Sequence, residues 1–497
     1  MKNIVLGISI GIALGFALFT PRLFSLGQVL TIDEPLWIDR GAVFVQRVAT
    51  LQFAESVPAL QPGVTTAWIS GSVARFGSLA VSQSSIAVVT ALLILLSGYF
   101  LSRLWPPFWA WSATFLLALD PFLIGHSRVV HTDALLGLFL LTSTLSLLVY
   151  LERTGQEKKI TDKRYAAFSG ILLGLAVLTK VFALAIIPAH AIIILFYVRT
   201  QRLPLSRIIL SFTLWLLTAV ATLFFVWPAL WVNVADTVHA MYDGISQYED
   251  GTRTGEVTDQ WWYYIRESAV RLSPFALIFL PFSLLAIWRN RHTRMGRTAG
   301  VLLLTGVLYA VILSLRGERS VRYILFSLLT ITVSGLVGLQ LLLDWSQKRW
   351  HLNVEKARLG AIIFILLSLF IIDARLHPYY LSYVNPFYPL EADHKLGWGQ
   401  GLEQAARWVE EHDPNRSVAT YYPRVFKYFY NGHGSVESLA HIPENTPSFV
   451  VLYRSMFERS ADSPESDLIH IYLDQQTPVH TVTINGLPMV WIFENKP

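Results

Sequence analysis

The chain has 497 residues, of which 53% are hydrophobic and only 15% charged, against about 25% charged in an average soluble domain. With a mean hydropathy of +0.47, this composition excludes an ordinary soluble protein and favours a polytopic membrane protein. The net charge is only +5, and the basic residues lie mainly in short loops between apolar segments, which disfavours nucleic-acid binding. Because the chain has no cysteine, it has no disulfide, thiolate nucleophile or cysteine-ligated zinc site.

Eleven apolar segments approach the roughly 20 residues that a helix needs to cross a ~30 Å hydrocarbon core. The predicted spans are 3–20, 85–103, 107–124, 133–151, 167–179, 182–198, 208–228, 274–288, 298–314, 322–343 and 358–372. The stretch 167–198 is too long for one upright helix and is interrupted by Lys180. Since both flanking loops are basic, we expect it to cross twice, with Lys180 at the outer turn.

The same charge rule orients the chain. The basic loops around 289–297 and 348–358 are predicted to be cytoplasmic, together with the N-terminus. An odd number of spans then places the long loops 21–84 and 229–273, and everything after about residue 373, on the extracytoplasmic side of the cell membrane. The first span could instead be a signal peptide, although no clear small-residue cleavage site follows it, and cleavage would not change the orientation of the remainder.

From about residue 377 the composition becomes that of a soluble domain. We therefore predict a membrane module at 1–376 and an extracytoplasmic α/β domain at 377–497. Alternating and clustered β-formers predict strands after an amphipathic helix at 401–411, and these strands are 417–422, 448–453, 479–484 and 489–493. The domain has no compact set of acid, base and nucleophile, so we expect it to influence the choice of acceptor; a lid or a docking surface is the alternative.

The first outer loop carries two adjacent carboxylates, Asp33 and Glu34. Amphipathic stretches at 41–53 and 64–76 predict interfacial helices that roof a cavity. Desolvating a carboxylate in such a place is costly unless it serves a purpose. The pair is a candidate for catalysis, and ordinary solvated loop charges are the alternative.

The second outer turn, residues 120–133, brings charged side chains to the mouth of two spans. If the chain is helical from about residue 128, one face carries Arg128, His131 and Thr132. The histidines of this turn could ligate a metal, but interfacial hydrogen bonding is the preferred interpretation, and no metal or other cofactor is predicted. Asp133 begins a span, where the helix dipole alone could favour a carboxylate.

Two further outer turns carry cations. Lys180 lies at the turn between two spans, where an ammonium needs a counter-charge. Another turn lies on the side where the positive-inside rule does not explain basic residues; it contains Arg316, Arg319, Arg322 and Tyr323. Convergent cations and tyrosine hydroxyls suit a lipid phosphate, unless Glu318 pairs with one of them in a structural turn.

These residues resemble those of the GT-C superfamily of polyprenyl-phosphate-dependent glycosyltransferases. The similarity is to the glycosyltransferase family 39 type, which includes protein O-mannosyltransferases and the aminoarabinose transferases of lipid A. It extends over nearly the whole chain, through Asp33-Glu34, the segment 61–66, Asp120-Pro121 with Arg128 and Asp133, Leu178-Thr179-Lys180, Arg322-Tyr323 and the segment 378–386. Many relatives have a basic residue in the second of these motifs, and Gln61-Pro62-Gly63 does not, so that loop is not expected to hold phosphate.

The resemblance implies an inverting membrane glycosyltransferase. It would move a hexose or pentose from a polyprenyl-phosphate donor to a hydroxyl of a protein, lipid or glycan. Asp33 would be the catalytic base, with Glu34 and Asp133 as further catalytic candidates. The residues implied in binding substrate or the leaving phosphate are Arg128, His131, Lys180, Arg322 and Tyr323.

Other classes of membrane protein remain as alternatives. Another lipid-phosphate-handling enzyme could use the same charges. A transporter or flippase should show interrupted helices in two similar halves, which the sequence does not show. A non-catalytic scaffold would leave the outer clusters of ionisable residues unexplained.

Overall fold

The computed structural model describes residues 2–57, 62–156, 163–201, 205–249, 261–315, 319–351, 353–388, 397–441, 447–456 and 464–495. Up to residue 376 the described chain is helical. Its helices are α1 Lys2–Leu23, α2 Glu34–Ala49, α3 Val64–Ala74, α4 Leu79–Leu104, α5 Pro107–Ala118, α6 Pro121–Ser127, α7 Asp133–Gln156, α8 Arg164–Thr179, α9 Ile186–Gln201, α10 Leu205–Val226, α11 Ala229–Val232, α12 Val234–Glu249, α13 Tyr263–Arg271, α14 Pro274–Arg289, α15 Arg294–Ser314, α16 Leu325–Trp350 and α17 Val354–Leu376.

Within the described ranges, seven helices are long and apolar enough to cross a membrane, or up to nine if each of two bent pairs is one span. The bent pairs are α5 with α6, at 58°, and α13 with α14, at 120°. Two shorter apolar helices are Gly7–Leu23 and Arg164–Thr179. Every predicted span coincides with one of these helices, which confirms the polytopic helical fold. The total of eleven crossings stays a prediction.

The bend between α5 and α6 corrects the straight span predicted at 107–124. Pro121 has no N–H to continue the helix, so the chain restarts there with proline in the first turn. The Asp120 carboxylate caps the new helix by accepting a hydrogen bond from the Leu123 N–H at 2.9 Å. Ser273 and Pro274 use the same device at the second bend, where the Ser273 hydroxyl accepts from the Ala276 N–H.

Helix α7 is the central helix of the bundle. Its apolar window is wholly buried in the protein, and it packs against α4, α8, α9, α15 and α16. The helix begins at Asp133, so the expectation of a helix from about residue 128 is wrong. Residues 128–132 form a turn instead, because the Val130 N–H donates to the Glu34 carboxylate at 2.9 Å rather than to a helical carbonyl.

The helices α2 and α3, which lie between the apolar helices α1 and α4 in the chain, pack closely against each other. The predicted helix 64–76 corresponds to α3, whereas the one predicted at 41–53 begins earlier, at Glu34, since Pro35 stands in its first turn. The two helices touch at glycines: a Cβ on Gly71 would lie 2.1 Å from the carbonyl oxygen of Gly41. This close crossing leaves no room for a side chain at either glycine and fixes α2 against α3.

The C-terminal part has the predicted α/β character. Its five-stranded sheet has the order β2-β1-β3-β5-β4, parallel across β2-β1-β3 and antiparallel across β3-β5-β4. The strands are β1 Val418–Thr420, β2 Val436–Ser438, β3 Phe449–Tyr453, β4 His480–Ile484 and β5 Leu487–Glu494, and the helices are α18 Leu402–His412, α19 Pro423–Phe429 and α20 Pro464–Gln475. The predicted helix and four strands are present. The short edge strand β2 and the helices α19 and α20 were not predicted.

The orientation of the chain can be tested directly. A reporter fused after Pro497 is expected to be active only outside the cytoplasm, because the charge asymmetry of the short loops places that end outside. A matched reporter inserted after Lys159, in a basic loop, should be active only inside. The opposite pattern would contradict the orientation and would place Asp33 on the cytoplasmic side.

Candidate active site

Asp33 lies at the start of α2, and about a third of its side chain (35%) is exposed. Its Oδ2 atom accepts a hydrogen bond from the indole N–H of Trp398 at 3.0 Å and one from Nη1 of Arg322 at 3.3 Å. Nε2 of His131 lies 3.7 Å from the same oxygen. Among the described residues, the side-chain contacts of Asp33 all meet Oδ2.

A second carboxylate, Asp133, is fully buried at the first position of α7. Its Oδ1 lies 3.2 Å from Nζ of Lys180, and its Oδ2 lies 3.0 Å from Nδ1 of His131 and 3.7 Å from Nε of Arg322. His131 and Arg322 therefore connect the two carboxylates. We call Asp33, His131, Asp133, Lys180 and Arg322 the carboxylate cluster.

The two cations of the cluster are positioned by breaks in helices. Lys180 follows the last residue of α8 in extended conformation, and its ammonium lies 4.2 Å from the centre of the Tyr323 ring. Arg322 lies on the 3-10 helix Val321–Ile324 that leads into α16. Only 3% of the Lys180 side chain is exposed, against 26% for Arg322, so Arg322 is the cation that an incoming ligand can reach.

Electrostatics keep Asp33 ionised. Burial alone would raise its pKa, but the Arg322 guanidinium, the His131 ring and the Trp398 hydrogen bond outweigh burial and hold the pKa of Asp33 below its ordinary value. Burial lowers the pKa of His131 despite the nearby Asp133 carboxylate. At neutral pH Asp33 is thus a hydrogen-bond acceptor beside a mostly neutral imidazole, a state in which it can take up a proton.

Glu34 points away from the cluster although it follows Asp33 directly. It is fully buried, and its carboxylate accepts hydrogen bonds from the Thr31 N–H at 2.7 Å, the Gln83 amide at 2.9 Å and the Val130 N–H at 2.9 Å. Burial raises the pKa of Glu34. Glu34 thus joins the segment before α2 to the turn before α7.

Arg128 is also separate from the cluster. Its guanidinium donates to carbonyl oxygens at the end of α1 and just after it, those of Pro21, Phe24 and Ser25, at 2.6–3.2 Å. The Tyr380 ring covers it at 5.3 Å. The structure brings together the predicted residues Asp33, His131, Asp133, Lys180, Arg322 and Tyr323, and it leaves Glu34 and Arg128 outside.

Sequence reasoning missed Trp398, a residue that contacts the carboxylate cluster. It belongs to the C-terminal part, which was expected to influence the choice of acceptor rather than bond-making. A signal was present, because Trp398 stands in the run Gly397-Trp398-Gly399-Gln400-Gly401. All three glycines have positive φ, from 95° to 121°, a conformation that other residues rarely adopt.

The other predicted motifs support the site from outside. The Thr65 and Thr179 hydroxyls are 2.5 Å apart, next to Lys180, and the Asn385 amide donates to the Leu272 carbonyl at 2.7 Å, which joins the segment 378–386 to the end of α13. The predicted positions outside the described residues are Gln61, Arg316 and Glu318. Within the described ranges, no group of three or more histidine or acidic side chains is arranged to hold a metal ion.

Comparisons with known proteins agree with this architecture. Residues 73–242 match the family model for dolichyl-phosphate-mannose-protein mannosyltransferases. ArnT from Cupriavidus metallidurans in the apo state aligns over 99% of this chain and 98% of its own, with a TM-score of 0.50 and 14% identity. The archaeal oligosaccharyltransferase AglB from Archaeoglobus fulgidus aligns over 90% of this chain and 69% of its own, with a TM-score of 0.50 and 10% identity.

A sequence search of the curated proteins finds no match. At these identities the structural alignments concern the fold, and the family model concerns about a third of the chain, within its N-terminal half. The chain therefore shares the fold of ArnT and AglB, and its residues 73–242 match the model of the dolichyl-phosphate-mannose-protein mannosyltransferases, which confirms the resemblance seen in its sequence.

Proposed function

We propose that the protein transfers a sugar from a polyprenyl-phosphate donor to an acceptor hydroxyl, with inversion, on the extracytoplasmic side of the cell membrane. The observation that carries the proposal is the carboxylate cluster, in which a partly exposed, ionised Asp33 lies 3.3 Å from an accessible guanidinium, that of Arg322. A base and a phosphate-binding cation are the two groups that this transfer needs side by side.

The chemistry is a single displacement. The acceptor oxygen bonds to C1 of the sugar while its proton passes to the Asp33 carboxylate. The bond from C1 to the phosphate oxygen breaks, and its electron pair stays on the lipid phosphate. Because the acceptor attacks from the face opposite the leaving group, the configuration at C1 inverts.

The two cations of the cluster differ in exposure and would therefore have different roles. Arg322, being the more exposed, would meet the phosphate through its planar fork of N–H donors. Lys180 is buried against Asp133 and would add positive charge behind the phosphate in surroundings of low dielectric, where it acts strongly. Tyr323 contacts both cations through its ring, which fixes their separation.

The relatives support the class of donor. AglB, which shares the fold, has been solved in complex with an inhibitory peptide and a dolichol-phosphate. By analogy of fold, a lipid phosphate would enter from the bilayer and an acceptor from the outer side. We propose a protein, lipid or glycan hydroxyl as the acceptor and a hexose or pentose as the sugar.

The proposal can be tested with the purified protein in lipid vesicles. A panel of polyprenyl-phosphate hexoses and pentoses, each labelled in the sugar, is offered together with extracted membranes as the source of acceptor. We expect label to move from one class of donor to one acceptor, with C1 of the product inverted by NMR, and the Asp33→Asn protein to be inactive. Transfer from nucleotide sugars alone, or release of free sugar with no acceptor labelled, would contradict the proposal.

The role of Arg322 gives a separate prediction. Arg322→Gln should raise the KM for the lipid donor by about 10–100-fold, because losing a hydrogen bond to a charged group costs roughly 1.5–3 kcal/mol. The matched control is Arg319→Gln, whose guanidinium donates to the Ser314 carbonyl at 2.9 Å. Steady-state kinetics with varied donor measures both. Equal KM values for the two variants would remove Arg322 from the phosphate site.

A further inference from the structure

The C-terminal domain enters the carboxylate cluster through one short segment, residues 397–401. Trp398 of this segment meets three members of the cluster. Its indole N–H donates to Oδ2 of Asp33 at 3.0 Å, the centre of its ring lies 4.7 Å from the Arg322 guanidinium carbon, and its ring packs edge-on against that of His131 at 4.7 Å.

Trp398 itself is held from both sides. The Ile32 N–H donates to the Trp398 carbonyl at 3.2 Å, and the Trp398 N–H donates to the Gln400 side chain at 2.6 Å. The buried Tyr453 hydroxyl, at the end of β3, accepts from the Gly399 N–H at 2.8 Å and donates to the same Gln400 oxygen at 3.1 Å.

The glycines on either side of Trp398 leave no room for a side chain. A Cβ on Gly399 would lie 2.6 Å from the carbonyl oxygen of Leu30, and one on Gly397 would lie 2.8 Å from the Tyr453 hydroxyl. Both glycines have positive φ as well. The backbone on either side of Trp398 is thus fixed against the first outer loop and against the sheet, so the indole N–H has a defined direction.

The direction of the indole N–H determines which carboxylate oxygen of Asp33 stays available to react. Trp398 and Arg322 both donate to Oδ2, and His131 lies on the same side. Within the described part of the chain, Oδ1 has no such partner and belongs to a side chain that is one-third exposed. A carboxylate held by one oxygen keeps the other free to accept a proton.

We infer that Trp398 is a positioning residue: it holds Oδ2 of Asp33 so that Oδ1 faces the acceptor hydroxyl, and through it the C-terminal domain completes the active site. The inference rests on the proposed function of Asp33 as the base. It assigns to this domain a part in bond-making in addition to any part in the choice of acceptor.

The contact itself can be tested without an activity assay. The full-length protein, labelled with 5-fluorotryptophan at its 16 tryptophans, is studied by 19F NMR in lipid nanodiscs, and the Trp398 resonance is assigned as the one missing in Trp398→Phe. We expect this resonance to shift in Asp33→Asn and to titrate in the wild type. The other charged or titratable groups near this contact are Arg322, His126 and His131, with Asp133 and Lys180 behind them. If the titration of the Trp398 resonance is lost in Asp33→Asn, the titrating group is Asp33.

The role is tested by transfer kinetics on Trp398→Phe, which keeps an aromatic side chain at this position but removes the N–H donor together with the larger indole ring. We expect kcat to fall about 10–100-fold with little change in the KM for the donor. The acidic limb of the kcat/KM profile should move to higher pH, because the lost hydrogen bond had stabilised the ionised form of Asp33. Merely structural damage would not shift that limb.

Two variants separate the possible outcomes. Trp408→Phe is the matched control, since Trp408 lies in the same domain and stacks on His412 and His480; it should keep wild-type kinetics. If Trp398→Phe does not fold, Tyr453→Phe loosens the same segment from the sheet side and should lower kcat in the same direction. A Trp398 resonance insensitive to Asp33→Asn, or an unshifted acidic limb with normal kcat, overturns the inference. An NMR contact in a protein that transfers no sugar overturns the proposed function instead.

Discussion

Replacing Asp33 with asparagine is expected to lower turnover by about 10²–10⁴-fold, the usual contribution of a general base. Asparagine has the same shape, and its amide oxygen can still accept from Trp398 and Arg322, but it cannot take up a proton. The protein should therefore fold and bind donor normally. The measurement is kcat at saturating donor for purified protein in vesicles.

The matched control is Asp39→Asn. Asp39 is a carboxylate on the same helix, 60% exposed and paired with Arg424, and its loss should leave turnover unchanged. Near-normal turnover of Asp33→Asn would exclude Asp33 as the base and make Asp133 the next candidate. Glu34→Gln should chiefly reduce the yield of folded protein. Glu34 accepts hydrogen bonds from the Thr31 and Val130 N–H groups, and the glutamine NH2 group would face one of these donors without an acceptor.

The pH dependence follows from the same geometry. In the wild type, the acidic limb of kcat/KM should lie below the ordinary range of an aspartate, because Arg322 and His131 hold the pKa of Asp33 down against burial. Activity is then present above that pKa and is lost as the pH falls through it.

The buried pair of Asp133 and Lys180 gives the second large effect. Either Lys180→Met or Asp133→Leu should destabilise the protein by about 3–5 kcal/mol, because each leaves the remaining charge buried without the opposite charge that lies 3.2 Å away. The double variant Lys180→Met with Asp133→Leu should recover most of that stability, since an apolar pair of similar volume replaces the ion pair. It should not recover transfer. Thermal unfolding in detergent and the transfer assay together measure the effect.

Lys427→Met is the control for this series, because Lys427 is an exposed residue of α19. Single variants as stable as the Lys427→Met protein would mean that the pair carries no folding energy. An active double variant would mean that Lys180 and Asp133 have no part in the reaction.

The spans could be predicted from the sequence because a membrane-crossing helix must be apolar over its whole length. The bends within the spans depend on single residues. Hydropathy alone predicts one continuous span at 107–124, but the helix is broken before Pro121. In the C-terminal part, four of the five strands were predicted. The strand β2 was missed because its three residues, at the sheet edge, are only half-buried and include a glutamate and a serine, whereas the equally short β1 is fully buried.

The composition of the site was harder to predict, because residue type indicates chemistry but not contact. Arg128 and Arg322 give the same signal in the sequence, an arginine near the end of a span. Arg128 meets carbonyl oxygens at the end of α1, whereas Arg322 meets Asp33. Asp33 and Glu34 are also alike in sequence, but one precedes α2 while the other begins it, and this single step sends their carboxylates in different directions.

Asp33 reaches partners that are 289 and 365 positions away along the chain, Arg322 and Trp398. At a synthesis rate of about 5–20 residues per second, Trp398 is made roughly 20–70 s after Asp33. During that interval the membrane helices can insert, but the contact between Asp33 and Trp398 cannot yet form. A growing chain therefore cannot hold the finished arrangement around Asp33 until the ribosome has passed four-fifths of the message, so this arrangement forms only once the start of the C-terminal part has been made.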